Sequence, residues 1–282
     1  MKIVRKPEWL QKRVSPSAHA EMERLLGDFR LHTVCQEALC PNISECFRQQ
    51  QATFLIMGKA CTRHCSFCNV TKELPLPLDP GEPERVAAAI VRLGLRHVVI
   101  TSPTRDDLAD GGAAAFASTV AAIRRAAPEV RIELLVPDFR GLRESIALVM
   151  AVGPDIFGHN LETVPRLYAI REGADYCRSL AVLAAAHELA PAIPTKSGIM
   201  LGLGETLDEV RQVLADLRAA GCSYLSLGQY LAPSRSHHPV AEFIPPETFD
   251  ALKAEALRLG FAHVESGPYV RSSYHAEQYL PE

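Results

Sequence analysis

From residue 52 onward, short runs of apolar and β-branched residues alternate with longer stretches in which apolar positions recur every three or four residues. The short runs predict strands at 52–58, 97–102, 131–137, 156–162, 193–202 and 224–231. Between them, Val86, Ile90 and Leu93 fall at i, i+4 and i+7, as do Phe116, Val120 and Ile123, and again Leu142, Ile146 and Val149. Leu207, Val210, Leu214 and Leu217 continue the series, and Phe249, Leu252, Ala256 and Leu259 repeat it after the polar, proline-rich stretch 232–246. Such stripes predict helices whose apolar faces pack into the core. A strand followed by a helix, six times over, is the pattern of βα units and a parallel sheet. Six units are too few to close the usual eight-stranded barrel, which leaves a doubly wound sheet or a partly open barrel.

The two ends break the pattern. Residues 1–50 lack strand alternation and carry a proline-punctuated, mixed-charge opening with one short helical stretch at 19–29. The tail has a last apolar run at 261–264, then Gly267-Pro268-Tyr269-Val270-Arg271-Ser272-Ser273-Tyr274-His275-Ala276. That tail is polar and turned by glycine, so it reads as a solvated end or as a lid. The expected organisation is an N-terminal extension over 1–50, a βα domain over 51–260 and a C-terminal tail over 261–282.

Composition changes this picture little. With 48% hydrophobic and 22% charged residues, the chain can bury a sizeable core and reads as a soluble globular protein. A net charge of −3 argues against a dedicated nucleic-acid binder. Basic residues gather only at the start, where Lys2, Arg5, Lys6, Lys12 and Arg13 surround Trp9 and Leu10. No apolar signal core follows them, so they read as part of the mature chain, either solvated or docking an acidic carrier domain. No run approaches the roughly 18 apolar residues that a membrane span needs, so no membrane partner is expected.

The cysteines change the picture most. They stand at 35, 40, 46, 61, 65, 68, 177 and 222. Clustering of the first six in a chain without a secretion signal points to a reducing compartment and to metal rather than disulfides. Cys177 and Cys222 read as small buried hydrophobes. Cys61-Thr62-Arg63-His64-Cys65-Ser66-Phe67-Cys68 has C-x3-C-x2-C spacing, enough to hold three corners of a cubane iron–sulfur cluster with the fourth iron open. A zinc loop completed by a distant residue is the alternative. Cys35-x4-Cys40-x5-Cys46 is a second three-thiol set, with Pro41 and Asn42 supplying turn chemistry. Two incomplete sets suggest two metal centres. The 61–68 loop directly follows the first predicted βα strand, at the end where parallel architectures collect ligands, and a large cofactor in a wide mouth favours the open barrel.

C-x3-C-x2-C with the aromatic Phe67 before its last cysteine resembles the signature of radical S-adenosylmethionine (SAM) enzymes, whose fold is commonly a partial (β/α)6 barrel. The second cysteine set, together with Arg271-Ser272-Ser273-Tyr274, narrows the resemblance to the lipoyl synthase family. Further stretches match along nearly the whole chain: Lys6-Pro7-Glu8-Trp9-Leu10, Arg105 to Gly112, Val136 to Gly141, His159-Asn160-Leu161-Glu162, Pro194 to Gly198 and Gly228-Gln229-Tyr230.

The resemblance implies a partial (β/α)6 parallel barrel with N- and C-terminal extensions over its open mouth. It implies that Cys61, Cys65 and Cys68 hold a [4Fe–4S] cluster whose open iron chelates SAM. Cys35, Cys40 and Cys46 would hold an auxiliary [4Fe–4S] cluster, with Ser273 as its fourth ligand. Phe67, Asn160 and Glu162 would contact SAM, and Gly198-x-Met200-x-Gly202-x-x-Glu205 would shape the adenosine pocket. The implied reaction inserts sulfur at C6 and C8 of an octanoyl chain on a lysine. Those carbons carry no leaving group and no acidic proton, so a 5′-deoxyadenosyl radical must take hydrogen and the auxiliary cluster must give up sulfur. The implied partners are an octanoylated lipoyl carrier domain or H-protein-like carrier, an electron donor such as flavodoxin or ferredoxin, and a cluster-repair carrier, all in the cytoplasm.

Other polar residues are less telling. Asp106, Asp107 and Asp110 follow the second strand, where they touch SAM, fix the loop to Arg105 or are simply solvated. His237 and His238 are candidate mouth residues. Arg271, Tyr274 and His275 read as outer contacts around a ligand, and Ser272 without the resemblance as a turn residue.

Overall fold

The computed structural model describes residues 6–11, 16–49 and 51–279. Of the basic residues at the start, Lys6 is described and exposed, whereas Lys2, Arg5, Lys12 and Arg13 lie outside the described residues. The chain divides into two compact units, one of Lys12–Arg63 and Asn69–Phe157, the other of Met1–Gln11, His64–Cys68 and Gly158–Glu282.

The first unit opens with α1 (Pro16–Asp28), β1 (His32–Thr33), α2 (Val34–Glu37) and α3 (Ile43–Arg48). It continues with β2 (Thr53–Leu55), α4 (Glu82–Leu93), β3 (His97–Thr101), α5 (Ala113–Ala126), β4 (Arg131–Leu135) and α6 (Arg143–Ala151). β2 pairs in parallel with β3, and β3 with β4, in the register Phe54 to Ile100 and Ile100 to Leu134. Ile100, Ile132 and Leu134 are buried, as are Val86 and Ile90 of α4 and Phe116, Val120 and Ile123 of α5. α4 ends where Gly94 adopts the left-handed conformation (φ 61°), which only glycine takes without steric cost.

β5 (Ile156–Gly158) crosses the boundary between the units. The second unit then holds α7 (Tyr176–Leu189), β6 (Thr195–Leu201), α8 (Leu207–Ala219), β7 (Tyr224–Gln229), α9 (Pro246–Arg258) and β8 (His263–Gly267). β6, β7 and β8 pair in parallel. One set of alternating strand residues, Ile199, Leu201, Leu225, Leu227 and Val264, joins Leu183 of α7, Val210, Leu214 and Leu217 of α8, and Phe249, Leu252 and Ala256 of α9 in a single apolar core. The residues between them in sequence, Lys196, Gly198, Ser226 and Gly228, therefore line the opposite face of the strands. α8 starts at a reciprocal cap, Thr206 accepting from Glu209 N at 3.2 Å while Glu209 accepts from Thr206 N at 2.8 Å.

Strand order follows chain order from β1 to β8 in a mostly parallel sheet that is not closed. The six expected strands are β2 to β7, each shorter than its apolar run, and two strands join them. β1, antiparallel to β2 in the register Thr33 to Phe54, has two residues and so no alternation to read. β8 grows from the apolar run at 261–264 and continues through the polar Glu265 and Ser266. Residues 1–50, expected to hold one short helix, hold two further short helices over Cys35 to Cys46. The stripes pack inward except at their ends: Leu207 and Leu259, expected in the core, are exposed because they stand at helix termini. Among the described residues no helix is long and apolar enough to cross a membrane.

Candidate functional site

The 61–68 loop follows β2 through Met57 (φ 67°) and Gly58 (φ 79°), a pair of left-handed residues that turns the chain out of the sheet. Cys61 N donates to Thr71 O at 2.8 Å and closes the base of the loop. Thr62 donates from both N and Oγ1 to Thr104 O, and its Oγ1 accepts from Asp106 N. Arg63 is the firmest anchor. Its guanidinium, almost fully buried, donates from Nε and Nη2 to Asp106 at 2.7 and 3.0 Å, and from Nη1 and Nη2 to Asp138 at 2.9 and 2.7 Å. Burial works against that charge, but the hydrogen bonds and charges of Asp138 and Asp106 outweigh it and hold the guanidinium above its ordinary value. Arg63 N also lies 3.4 Å from Cys61 Sγ.

In the other unit, Ser66 is held from two sides, its N donating to Ile170 O and its O accepting from His238 N, both at 2.8 Å. Tyr230 OH donates to His238 O at 2.7 Å, and burial, then the neighbouring Cys68, pushes its phenol well up. Cys61, Cys65 and Cys68 form no disulfide and are half-buried, like Phe67.

The second set is wound onto α2 and α3. Cys35 lies in α2, whose N-cap Thr33 accepts from Gln36 N, and Cys46 lies in α3. Between them Cys40 N donates to Cys35 O at 3.0 Å and Ile43 N to Cys40 O at 3.2 Å, so the backbone curls back on itself at each cysteine. Burial, and next the nearby Cys40, pushes the Cys35 thiol up to about 11. Asn69 Nδ2 donates to Glu37 O at 2.8 Å and ties the segment after the first cysteine loop to α2.

Past β5, Asn160 Nδ2 donates to Glu162 Oε1 at 3.0 Å and to Ser272 Oγ at 2.6 Å. Glu162 has φ 66° and a backbone pinned to β6 by Glu162 N to Gly198 O and Met200 N to Glu162 O. Its carboxyl is pushed up by burial, against the pull of Arg171, Asn160 and Arg271. A Cβ at Gly198 would lie 2.8 Å from Ser226 Oγ, 2.9 Å from Asn160 Oδ1 and 3.0 Å from Ser272 Oγ. Gly202 is tight for a different reason: a Cβ there would collide with Gln229 Nε2 and Glu242 O, while its N donates to Glu205 Oε1. Its glycine is thus required by the chain's own packing.

The tail is not a solvated end. Val270 O presses on Gly228 where a Cβ would stand, Tyr279 OH donates to Leu225 O at 3.2 Å, and Lys196 Nζ sits 3.5 Å over the Tyr279 ring. Ser272 and Ser273 are the central residues of a turn closed by Tyr274 N to Arg271 O at 2.9 Å. The Tyr274 and His275 rings stack 3.9 Å apart.

The carboxylates after β3 have structural partners. Asp107 pairs with buried Arg105, which holds its carboxyl below the usual range, and Asp106 pairs with Arg63. Asp110 accepts from Gly112 N and Ala114 N at the start of α5. His237 bonds Ser234 Oγ. Cys222 is buried as expected, but Cys177 is exposed: it stands in the first turn of α7 on the side away from the core. The sequence marks Arg63 and Asp138 only by an arginine inside a cysteine loop and an aspartate in each of the next two strand-end loops.

Thiolates are the donors that iron–sulfur clusters take, and both three-cysteine sets fit such a group. Among the described residues no three His, Cys, Asp or Glu side chains converge on one point as a single metal ion requires. A cubane asks for something else, because each of its thiolates binds a different iron.

Comparison with known proteins bears on the same residues. A family model described as Radical SAM superfamily matches residues 55–217. A lipoyl synthase of Geobacter metallireducens is 71% identical over 99% of this chain and 99% of its own. One of Geotalea uraniireducens is 72% identical over 99% of each chain, and one of Methylococcus capsulatus is 55% identical over 98% of this chain and 86% of its own. Among solved structures, methylornithine synthase aligns with TM-score 0.56 at 14% identity over 91% of this chain and 80% of its own. HydG, a maturase of the [FeFe]-hydrogenase, aligns with TM-score 0.58 at 13% identity over 78% of this chain and 59% of its own. At such identities the structural likeness speaks for the fold alone.

Proposed function

The chain belongs to the lipoyl synthase family of the radical SAM superfamily, and from that premise we propose that it inserts sulfur at C6 and C8 of an octanoyl-lysyl group on a lipoyl carrier protein. Membership brings with it a [4Fe–4S] cluster and SAM. When bound, that cluster with SAM supplies hydrogen abstraction from unactivated carbon, and an auxiliary [4Fe–4S] cluster supplies the sulfur.

The chain's own residues divide the work. Cys61, Cys65 and Cys68 hold the first cluster, on a loop stiffened by Arg63. Cys35, Cys40 and Cys46 hold the second, with Ser273 as the fourth ligand. A serine oxygen is harder than a thiolate and would grip iron less firmly in a sulfur-rich setting, which would make this the weakest corner of the site. Asn160 and Glu162 orient the amino and carboxylate groups of SAM, and half-buried Phe67 helps to exclude water beside the cysteines. The octanoylated carrier domain or H-protein-like carrier, a reductant such as flavodoxin or ferredoxin, a cluster-repair carrier and a cytoplasmic setting belong to the same proposal.

One observation carries the reading. The second cysteine set begins in α2, directly after the strand β1 that pairs with β2, the strand leading to Cys61, and Asn69 Nδ2 binds Glu37 O beside it. Two thiol sets flanking a single strand suit a reaction that brings a hydrogen-abstracting group and a sulfur source to one carbon chain.

The test is anaerobic incubation with SAM, reductant and an octanoyl-lysyl peptide. A mass gain of two sulfur atoms is expected, from protein holding roughly eight irons per chain on the two-cluster count. Intact clusters without that gain would overturn the proposal.

A further inference from the structure

The motif Arg271-Ser272-Ser273-Tyr274 has two serines, of which Ser273 is the proposed ligand. The other is engaged. Ser272 Oγ accepts from Asn160 Nδ2 at 2.6 Å, and the same Nδ2 donates to Glu162 Oε1 at 3.0 Å. Asn160 is thus braced by a glutamate whose own backbone is fixed to β6 at both N and O. Gly198 leaves the space in which these groups meet, since a Cβ there would crowd Asn160, Ser226 and Ser272 together at 2.8 to 3.0 Å.

Ser272 and Ser273 are the i+1 and i+2 residues of one turn, closed by Tyr274 N to Arg271 O. The chain is anchored before that turn, where Val270 O lies on Gly228, and after it, where Tyr279 OH binds Leu225 O. With both ends tied, rotation of the turn is the remaining freedom, and a grip on residue i+1 sets the direction of residue i+2.

We propose that Ser272 is a positioning residue: its hydroxyl, held by Asn160, fixes the 271–274 turn and so the direction in which Ser273 presents its oxygen. The inference rests on the reading of Ser273 as an auxiliary-cluster ligand. It assigns Gly198 a second task, making room for the Asn160–Ser272 bond. Outer groups that orient a ligand commonly matter nearly as much as the ligand itself.

Full-length protein loaded with iron and sulfide is compared by Mössbauer spectroscopy as wild type, Ser272→Ala, Ser272→Thr, Asn160→Ala, the Ser272→Ala/Asn160→Ala pair and Ser273→Ala. The readout is the share of auxiliary clusters with an oxygen-bound iron, a quantity that a general loss of fold would not move selectively. Ser272→Ala is expected to lower the bound-to-unbound ratio by about tenfold, the effect of one neutral hydrogen bond. Ser272→Thr, which keeps the hydroxyl, restores it, and Asn160→Ala adds nothing on top of Ser272→Ala because both remove the same bond. A wild-type signature in Ser272→Ala alongside its loss in Ser273→Ala overturns the inference and leaves the ligand reading standing. Loss in Ser272→Thr as well also overturns it, by tracing the effect to shape rather than to the hydroxyl. An unchanged spectrum in Ser273→Ala removes the ligand reading itself.

Discussion

Glu162 is a half-buried carboxyl, and burial raises its affinity for a proton above the ordinary value of 4.5 despite Arg171, Asn160 and Arg271 nearby. A carboxyl raised in the folded state contributes its full stability below the unfolded value, and that contribution is lost as pH climbs through the folded value. Near pH 7.5 the ionised group is therefore a cost to folding, which Glu162→Gln removes while keeping an acceptor for Asn160. The variant should unfold at a higher temperature than wild type at pH 7.5 and show no advantage at pH 4. Thermal unfolding of the SAM-free protein at the two pH values checks this; a lower midpoint at pH 7.5 would mean that the arginines, not burial, dominate. A group kept at a stability cost is what a binding site for a charged ligand leads one to expect. Cysteines show how far single residues were legible. Cys222, at the edge of an apolar run, was readable as buried. Cys177 was not, because α7 is rich in alanine on several sides and offers no polar stripe to mark its outer face.

At the scale of elements, the first cysteine loop is held chiefly by Arg63, and its two carboxylates are unequal. The Asp138 side chain is 1% exposed and that of Asp106 31%. Removing a partner from a buried pair leaves a charge uncompensated and costs about 3 kcal/mol or more, whereas partly solvated pairs are worth about 1 kcal/mol or less. Asp138→Asn should therefore shift the denaturant midpoint of the cluster-free protein several times further than Asp106→Asn. Equal shifts would show that burial does not set the strength of this anchor. Such an anchor was invisible in sequence because its three residues come from separate loops, and only the fold brings Arg63, Asp106 and Asp138 together. What was legible were the elements with strong local contrast: β2 to β7, and the striped helices α4, α5, α6, α8 and α9. α2 and α3 escaped because one or two turns are too short to show a period, and β1 because two residues cannot alternate.

For the whole molecule, those short helices predict where stability is borrowed. α2 has four residues and α3 six, well below the roughly 12 that an isolated helix needs, so the segment carrying Cys35, Cys40 and Cys46 depends on its contacts with α1, β1 and β2. In contrast, β6, β7 and β8 are closed over by α8 and α9 around Leu201, Leu214, Leu227 and Phe249, all almost wholly buried. Opening free energies differ across a fold in this way, with sparse apolar packing marking the segments that open first. If Cys35, Cys40 and Cys46 hold the proposed auxiliary cluster, its binding is also folding energy for the segment that carries them, and it must draw a proton from Cys35, whose burial favours the thiol. Iron-loaded and chelator-stripped protein compared by amide hydrogen exchange should therefore differ most over residues 34–48, with protection there lost by at least about tenfold on stripping, while β6 to β8 keep theirs. Equal losses in the two regions would mean that the cysteine segment is folded by its own contacts, and that the cluster is a guest in it rather than part of what holds it.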